Sequence, residues 1–66
     1  MTGVFKRIFE LKNKKGFTWN ELAKKAGIPV ATWMTGLPTS LPSDDDLHDL
    51  APVLDTTFAW LKYGIR

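Results

Sequence analysis

The sequence predicts an all-α fold, a compact bundle of about five short helices. Three observations predict it. Apolar residues recur at helical spacing in several segments, glycine or proline punctuates the ends of those segments, and no alternation of apolar and polar residues is long enough for a strand. The length of 66 residues allows a single domain over 1–66 with a modest core, and the hydrophobic content of 44% is enough to build one.

The first predicted helix covers residues 3–15. Gly16 ends this helix, and we expect Phe17 to return to the core. The apolar stripe of the helix consists of Val4, Ile8 and Leu11, flanked by Phe5 and Phe9. The basic residues occupy the other positions, namely Lys6, Arg7, Lys12, Lys14 and Lys15.

Residues 18–35 predict two short helices joined by a tight turn. Thr18 and Glu21 have the spacing of a capping box, which begins a helix at about residue 18. Gly27 is placed where a helix ends in the left-handed conformation, and Pro29 suits the first turn of a third helix, from about residue 29 to 35. We expect Trp33 to pack in the core against the second helix. This is a helix-turn-helix arrangement.

The second half of the chain predicts a loop and two more helices. Pro38 and Pro42 stiffen the loop 37–43. Ser43 caps the fourth helix, and the carboxylates of residues 44–46 match the positive end of its dipole. Pro52 predicts a kink, or a break into two short turns. The core stripe of this helix is Leu47, Leu50, Ala51 and Leu54. After a break at 55–57, Thr57 caps a last helix, Phe58 to Tyr63, which Gly64 closes; Trp60 is expected in the core.

Two segments resemble a known family. The run GFTWNELAKKAGIPVATW resembles the Cro/CI-type helix-turn-helix family, and the later run LHDLAPVLDTTFAWLKYG resembles the end of the N-terminal domain of phage CI-type repressors. That domain closes with a Trp-Leu-x-x-Gly ending, which Trp60, Leu61 and Gly64 match. The resemblance extends from Phe5 to Gly64. It implies a lambda-repressor-like DNA-binding domain.

The resemblance also implies a function, sequence-specific DNA binding for transcriptional regulation in the manner of a phage or prophage repressor's operator-binding domain. In a helix-turn-helix the second helix enters the major groove and the first crosses the phosphate backbone. The implied base-reading residues are Val30, Ala31, Thr32, Met34 and Thr35. The implied phosphate-facing residues are Thr18, Trp19 and Asn20, with further phosphate contacts from the nearby basic residues Lys14 and Lys15.

The resemblance implies two partners, double-stranded DNA and a second copy of the chain on a two-fold operator. Repressors of this kind usually continue into a C-terminal dimerisation domain, so the chain is expected to be the N-terminal part of a longer repressor or a small stand-alone relative. A bacterial cytoplasmic location, at the nucleoid when bound, is expected.

The implied reading helix departs from the family pattern. Val30 and Ala31 cannot make the bidentate hydrogen bonds that Arg, Gln or Asn make to bases, although they can contact thymine methyl groups. Trp19 replaces a glutamine that commonly binds a phosphate, and its outward helix position makes it either a contact residue or a hydrophobic surface patch. The acidic residues 44–46 would repel a nearby DNA backbone. We therefore expect weak binding by a monomer and stronger binding by a dimer.

Charge is divided unevenly along the chain. Residues 1–25 hold seven Lys or Arg and two Glu, a net charge of +5, whereas residues 26–66 hold two Lys or Arg and five Asp, a net charge of −3. The basic half indicates a side that faces a polyanion, a head-to-tail contact between copies, or an ordinary solvated surface. The rival function is a protein-interaction module on the same scaffold, in which Trp19 and the apolar residues Val30, Ala31 and Met34 bind a protein.

Other function classes have little support. His48 is the only histidine, and the chain has no cysteine, so a catalytic or metal role lacks partners. The consecutive carboxylates 44–46 point in different directions on a helix and do not converge on a cation. No apolar run approaches the ~18 residues of a membrane span. We expect no enzyme activity, no metal and no cofactor.

Overall fold

The computed structural model describes residues 3–30, 34 and 42–65, which form four α-helices. They are α1 (Gly3–Lys15), α2 (Trp19–Ala26), α3 (Asp44–Val53) and α4 (Phe58–Tyr63). The all-α class is confirmed, since these residues contain no strand. Within the described ranges these are four of the five predicted helices. Of the helix expected over 29–35, the structure describes only residues 29, 30 and 34. Trp33 and most of the loop expected over 37–43 also lie outside the described ranges.

Three helices begin with a side-chain cap at the predicted residue. Thr18 Oγ1 accepts a hydrogen bond from the Glu21 amide at 3.1 Å, and Glu21 Oε1 accepts one from the Thr18 amide at 3.3 Å. This reciprocal pair is the predicted capping box. The hydroxyls of Ser43 and Thr57 likewise accept from the third amide of α3 and of α4. Each cap satisfies an amide that lacks a partner within its helix.

A residue in the left-handed conformation lies within two residues of the end of each of the four helices. Three of these are glycines, Gly16, Gly27 and Gly64, with φ of 75°, 73° and 72°. The fourth, after α3, is Asp55 with φ of 55°. After α1, α2 and α3 the paired hydrogen bonds of a Schellman motif close the helix, as in Ile28 N to Ala23 O at 3.0 Å. The prediction that Gly16, Gly27 and Gly64 end their helices is confirmed.

Pro52 does not divide α3 into two turns, so that part of the prediction is wrong. The proline lies in the last turn of the helix, which continues through it and ends one residue later, at Val53. A proline this close to the end of a helix removes a single hydrogen bond. The next amides, those of Asp55 and Thr56, donate to the carbonyls of Pro52 and Ala51 in the Schellman motif.

The core lies where α3 packs against α2 and α4, and α4 packs against α1. The predicted stripe of α3 is confirmed as buried. The apolar core among the described residues consists of the buried side chains of Ile8, Leu22, Ala23, Met34, Leu47, Leu50, Ala51, Leu54 and Leu61. Phe17, Ile28 and Trp60 pack partly buried against this core, in agreement with the positions expected for Phe17 and Trp60. The radius of gyration of 10.5 Å is that of a compact domain of this length, about 10.8 Å.

Two basic residues of α1 do not occupy the outer face that the sequence predicts for them. Lys12 is buried, with 7% of its surface exposed, and Arg7 is half-buried. Arg7 donates from Nε to the Leu61 carbonyl at 3.0 Å and from Nη2 to the Lys62 carbonyl at 3.1 Å. These carbonyls are at the end of α4, where a cation is favourable and carbonyls lack helical partners. Arg7 therefore joins the first helix to the last.

Candidate nucleic-acid interface

The start of α2 presents two of the predicted phosphate-facing residues to solvent. Thr18 and Asn20 are exposed, and they lie at the positive end of the helix dipole, which favours an anion. The Thr18 hydroxyl accepts the Glu21 amide and keeps its own proton to donate. The position of Thr18 and Asn20 is therefore compatible with contacts to phosphate.

Trp19 packs against α1 instead of pointing outward, which corrects the prediction. It is half-buried, and its ring centroid lies 5.6 Å from that of Phe5 and 6.2 Å from that of Phe9. Lys12 Nζ lies 4.8 Å from the centre of the indole ring, a distance typical of a cation–π contact. Phe5 and Phe9 are one helical turn apart and also stack on each other, so their spacing was the available signal for this aromatic cluster.

Lys12 is held inside the fold by three kinds of contact. Its Nζ donates to the Phe17 carbonyl at 3.2 Å and to Asn13 Oδ1 at 2.9 Å, and it faces the rings of Trp19 and Phe9. The Phe17 amide in turn donates to the Lys12 carbonyl at 3.0 Å. This lysine thus stabilises the turn between α1 and α2 and is not on the surface that could meet a phosphate.

The two lysines predicted to contact phosphate differ in their surroundings. Lys14 is exposed, and no carboxylate in the described part of the chain pairs with it. Lys15 is also exposed, but its Nζ lies 2.5 Å from Asp55 Oδ2. An exposed pair of this kind contributes little to stability, so Lys15 can exchange Asp55 for a phosphate at small cost.

The basic surface of the first 25 residues is smaller than the net charge indicates. Arg7 and Lys12 are directed into the fold, and Lys15 is paired with Asp55. The exposed lysines that pair with no carboxylate within the described ranges are Lys6, Lys14, Lys24 and Lys25. Lys25 Nζ lies 5.4 Å from the centre of the Phe17 ring, so Lys25 and Lys14 are both near the turn between α1 and α2.

Of the predicted base-reading residues after Gly27, Val30 lies on the surface and Met34 lies in the core. Val30 is 48% exposed, as a base-contacting residue must be. Met34 is 1% exposed and belongs to the core, so the prediction that it contacts DNA is wrong, because a side chain without accessible surface cannot reach a base. The other predicted base-reading residues, Ala31, Thr32 and Thr35, lie outside the described residues.

The acidic residues of α3 form an ion pair and no metal centre. Asp44 Oδ1 accepts a hydrogen bond from Lys62 Nζ at 2.6 Å, and this bond raises the pKa of Lys62 above its ordinary value. His48 stacks on Phe58, with ring centroids 4.1 Å apart. Within 3–30, 34 and 42–65, no three His, Cys, Asp or Glu residues are arranged to hold a metal ion.

No helix in the described segments has the length and apolar character needed to cross a bilayer. Comparison of the chain with protein-family models, with curated proteins and with solved structures finds no match.

Proposed function

We propose that this chain binds duplex DNA as a helix-turn-helix domain of a transcriptional regulator, most like the operator-binding domain of a phage CI-type repressor. The local geometry of residues 18–30 supports the proposal. The structure has a capping box at Thr18, a left-handed Gly27, an inward Ile28 and an exposed Val30. These are features that we expect of a helix-turn-helix. The second helix of the motif, over 29–35, is part of the proposal.

The observation that carries the proposal is the unbalanced positive charge beside this segment. Lys6, Lys14, Lys24 and Lys25 are exposed without a carboxylate partner in the described part of the chain. Each lysine that neutralises a phosphate releases a condensed counterion, which gives affinity that does not depend on sequence. The exposed start of α2 adds oriented backbone dipoles for one more phosphate.

Base reading in this proposal is mainly apolar. Val30 and Ala31 contact thymine methyl groups, and Thr32 and Thr35 exchange single hydrogen bonds with base edges. Such contacts discriminate less than bidentate pairs, so one copy binds weakly and two copies on a two-fold site supply the affinity and the specificity.

Substitution of Lys14 tests the proposal against a matched control. Lys14→Gln removes an exposed, unpaired charge, whereas Lys62→Gln removes a charge that already pairs with Asp44. Fluorescence anisotropy with a mixed-sequence duplex between roughly 50 and 200 mM salt gives the slope of log K against log salt. We expect Lys14→Gln to weaken binding and to reduce the slope by about one, and Lys62→Gln to change neither. No binding at the lower salt, or equal effects of both variants, would contradict the proposal.

The second candidate is a protein-interaction module on the same scaffold, which the exposed apolar side chains favour. Phe9 is 38% exposed and Val30 48% exposed, and both flank the segment that would contact DNA. An apolar interface releases few counterions, so its affinity would depend little on salt. The same salt series therefore separates the two candidates.

A further inference from the structure

An open cleft lies between the second half of α1, the turn that follows it and the two residues after α3. Its volume is about 530 Å³, within the roughly 300–1,000 Å³ of small-molecule sites. We name it the α1–α3 cleft and define it by its apolar and charged lining residues, which are Leu11, Phe17, Leu54, Lys14, Lys15 and Asp55. Apolar surface beside a few charged groups is the combination that binds a small molecule with one polar end.

Positive charge predominates around this cleft. Lys14 is exposed and pairs with no carboxylate in the described part of the chain, whereas Lys15 pairs with Asp55. Lys25 Nζ lies 5.4 Å from the centre of the Phe17 ring, which brings a third lysine close to the lining. With three lysines near one carboxylate, the α1–α3 cleft attracts an anion more strongly than a cation.

The ion pair of Lys15 with Asp55 indicates where the charge of such an anion would be bound. Lys15 Nζ donates to Asp55 Oδ2 at 2.5 Å. The Lys15 side chain is only 30% exposed, whereas that of Asp55 is 77% exposed. The carboxylate can therefore turn into water at small cost, because an exposed pair contributes little, while the sheltered ammonium stays in place. Asp55 thus holds the position that the carboxylate of a ligand would take.

The helix ends beside the cleft do not reverse this preference. The last carbonyls of a helix carry partial negative charge, which favours a cation. Here they already accept amides of the following turn, as in Phe17 N to Lys12 O at 3.0 Å and Thr56 N to Ala51 O at 2.9 Å. The lysine side chains therefore determine the sign of the ligand.

We propose that the α1–α3 cleft binds a small organic anion, a planar aromatic body that carries one carboxylate. The aromatic body lies on Leu11 and against the ring of Phe17, since aromatic rings gain from packing on one another. The carboxylate of the ligand displaces that of Asp55 from Lys15 and also contacts Lys14. An open cleft buries only part of a small ligand, so the affinity is in the millimolar range. The site goes beyond the proposed function and does not depend on it.

An NMR titration of the chain without DNA tests the site with three probes that share an indole ring. Indoleacetate carries a negative charge, tryptophol no charge and tryptamine a positive charge, and acetate is the reference for added salt. We expect indoleacetate to give saturable shifts at residues 11, 14–17, 54 and 55, with a Kd on the order of 1 mM. Tryptophol should bind more weakly and tryptamine most weakly. Shifts no larger than those with acetate, or tryptamine binding as tightly as indoleacetate, would overturn the proposal.

Charge variants of opposite sign test the position of the carboxylate. Asp55→Asn keeps a side chain that tolerates positive φ and removes the competitor for Lys15, so it should tighten indoleacetate binding about two- to fivefold, whereas Lys14→Gln should weaken it by a similar factor. The matched controls are Asp49→Asn and Lys6→Gln, exposed positions outside the cleft, which should leave the Kd within about twofold of the parent. Circular dichroism checks that all four are folded. Controls equal to their cleft partners, or no tightening in Asp55→Asn, would overturn the proposal.

Occupation of the cleft has a consequence for DNA binding, and this consequence rests on the proposed function. Lys14 belongs both to the cleft and to the surface proposed to contact phosphate, so a bound anion competes with DNA there. In fluorescence anisotropy, indoleacetate should weaken duplex binding at least about twofold more than the same concentration of acetate, which only adds salt. Equal weakening by the two salts would overturn the competition. The titration without DNA tests the site alone, so the site and the DNA-binding proposal can fail separately.

Discussion

Arg7 shows how one side chain can determine which neighbours are allowed around it. Its guanidinium bonds to the last carbonyls of α4 and lies between two glycines. A Cβ at Gly64 would be 3.2 Å from Arg7 Nη1, and one at Gly3 would be 3.0 Å away. Gly64 thus has two reasons to be glycine, the positive φ and the room that Arg7 needs.

Comparison of two glycine substitutions separates these reasons. Gly16→Ala meets no atom within 4 Å, so it should cost only the left-handed strain, about 1–2 kcal/mol. The φ of Gly64 is within a few degrees of that of Gly16, but the new methyl group of Gly64→Ala must also displace the Arg7 side chain. The free energy of unfolding of Gly64→Ala should therefore fall further than that of Gly16→Ala. Chemical denaturation of both variants checks this, and repeating them with Arg7→Met should remove the difference. Equal losses with Arg7 present would mean that the guanidinium adapts freely.

Asp55 occupies a position that suits glycine. With φ of 55° it closes the Schellman motif after α3, at a steric cost that its exposed ion pair with Lys15 offsets only in part. We expect Asp55→Gly to raise the free energy of unfolding by about 0.5–1 kcal/mol, and Lys15→Gln to change it by less than about 0.5 kcal/mol. Thermal or denaturant unfolding measures both. A loss of stability in Asp55→Gly would show that the carboxylate does more than pair with Lys15.

At the scale of the element, helix boundaries follow from bonds that span only a few residues. Thr18, Ser43 and Thr57 each cap an amide three positions later, and Gly16, Gly27 and Gly64 each close a turn within five residues. Such bonds can be predicted from sequence because both partners are local. The left-handed Asp55 was not predicted, since Asp adopts that conformation much less often than Gly.

The capping box of α2 gives a prediction at this scale. Thr18→Ala should lower the free energy of unfolding by about 1 kcal/mol, because the Glu21 amide loses its acceptor, whereas Thr18→Ser keeps the oxygen and should cost far less. The same loss should loosen the first turn of α2 and increase amide hydrogen exchange at Glu21. If Thr18→Ala and Thr18→Ser were equally stable, the box would not contribute to stability.

At the scale of the whole molecule, the core stripe of α3 and the all-α class could be predicted because helical periodicity already encodes them. The outward or inward direction of single side chains could not. Lys12 is buried because the Phe17 carbonyl and the ring of Trp19 converge on it, and Arg7 finds its carbonyls 54 and 55 residues away. Met34 is buried by the same long-range packing, which reduces the predicted base-reading set.

These inward side chains change what the candidate interface consists of. The basic surface depends on Lys6, Lys14, Lys24 and Lys25 instead of on all seven basic residues of the first 25, and Trp19 supports α1 more than it faces solvent. In the proposed function, DNA binding then relies on few phosphate contacts. We expect a modest affinity, and a slope of log K against log salt of only about −3 to −4, because four lysines neutralise at most about four phosphates.

A backbone amide NMR titration with a mixed-sequence DNA duplex, at about 50 and 200 mM salt, tests DNA binding most directly. We expect shifts at low salt to concentrate at Thr18, Trp19, Asn20 and residues 30–35, and to diminish as the salt concentration rises. The absence of shifts at low salt, or shifts confined to α3 and α4, would contradict the proposal.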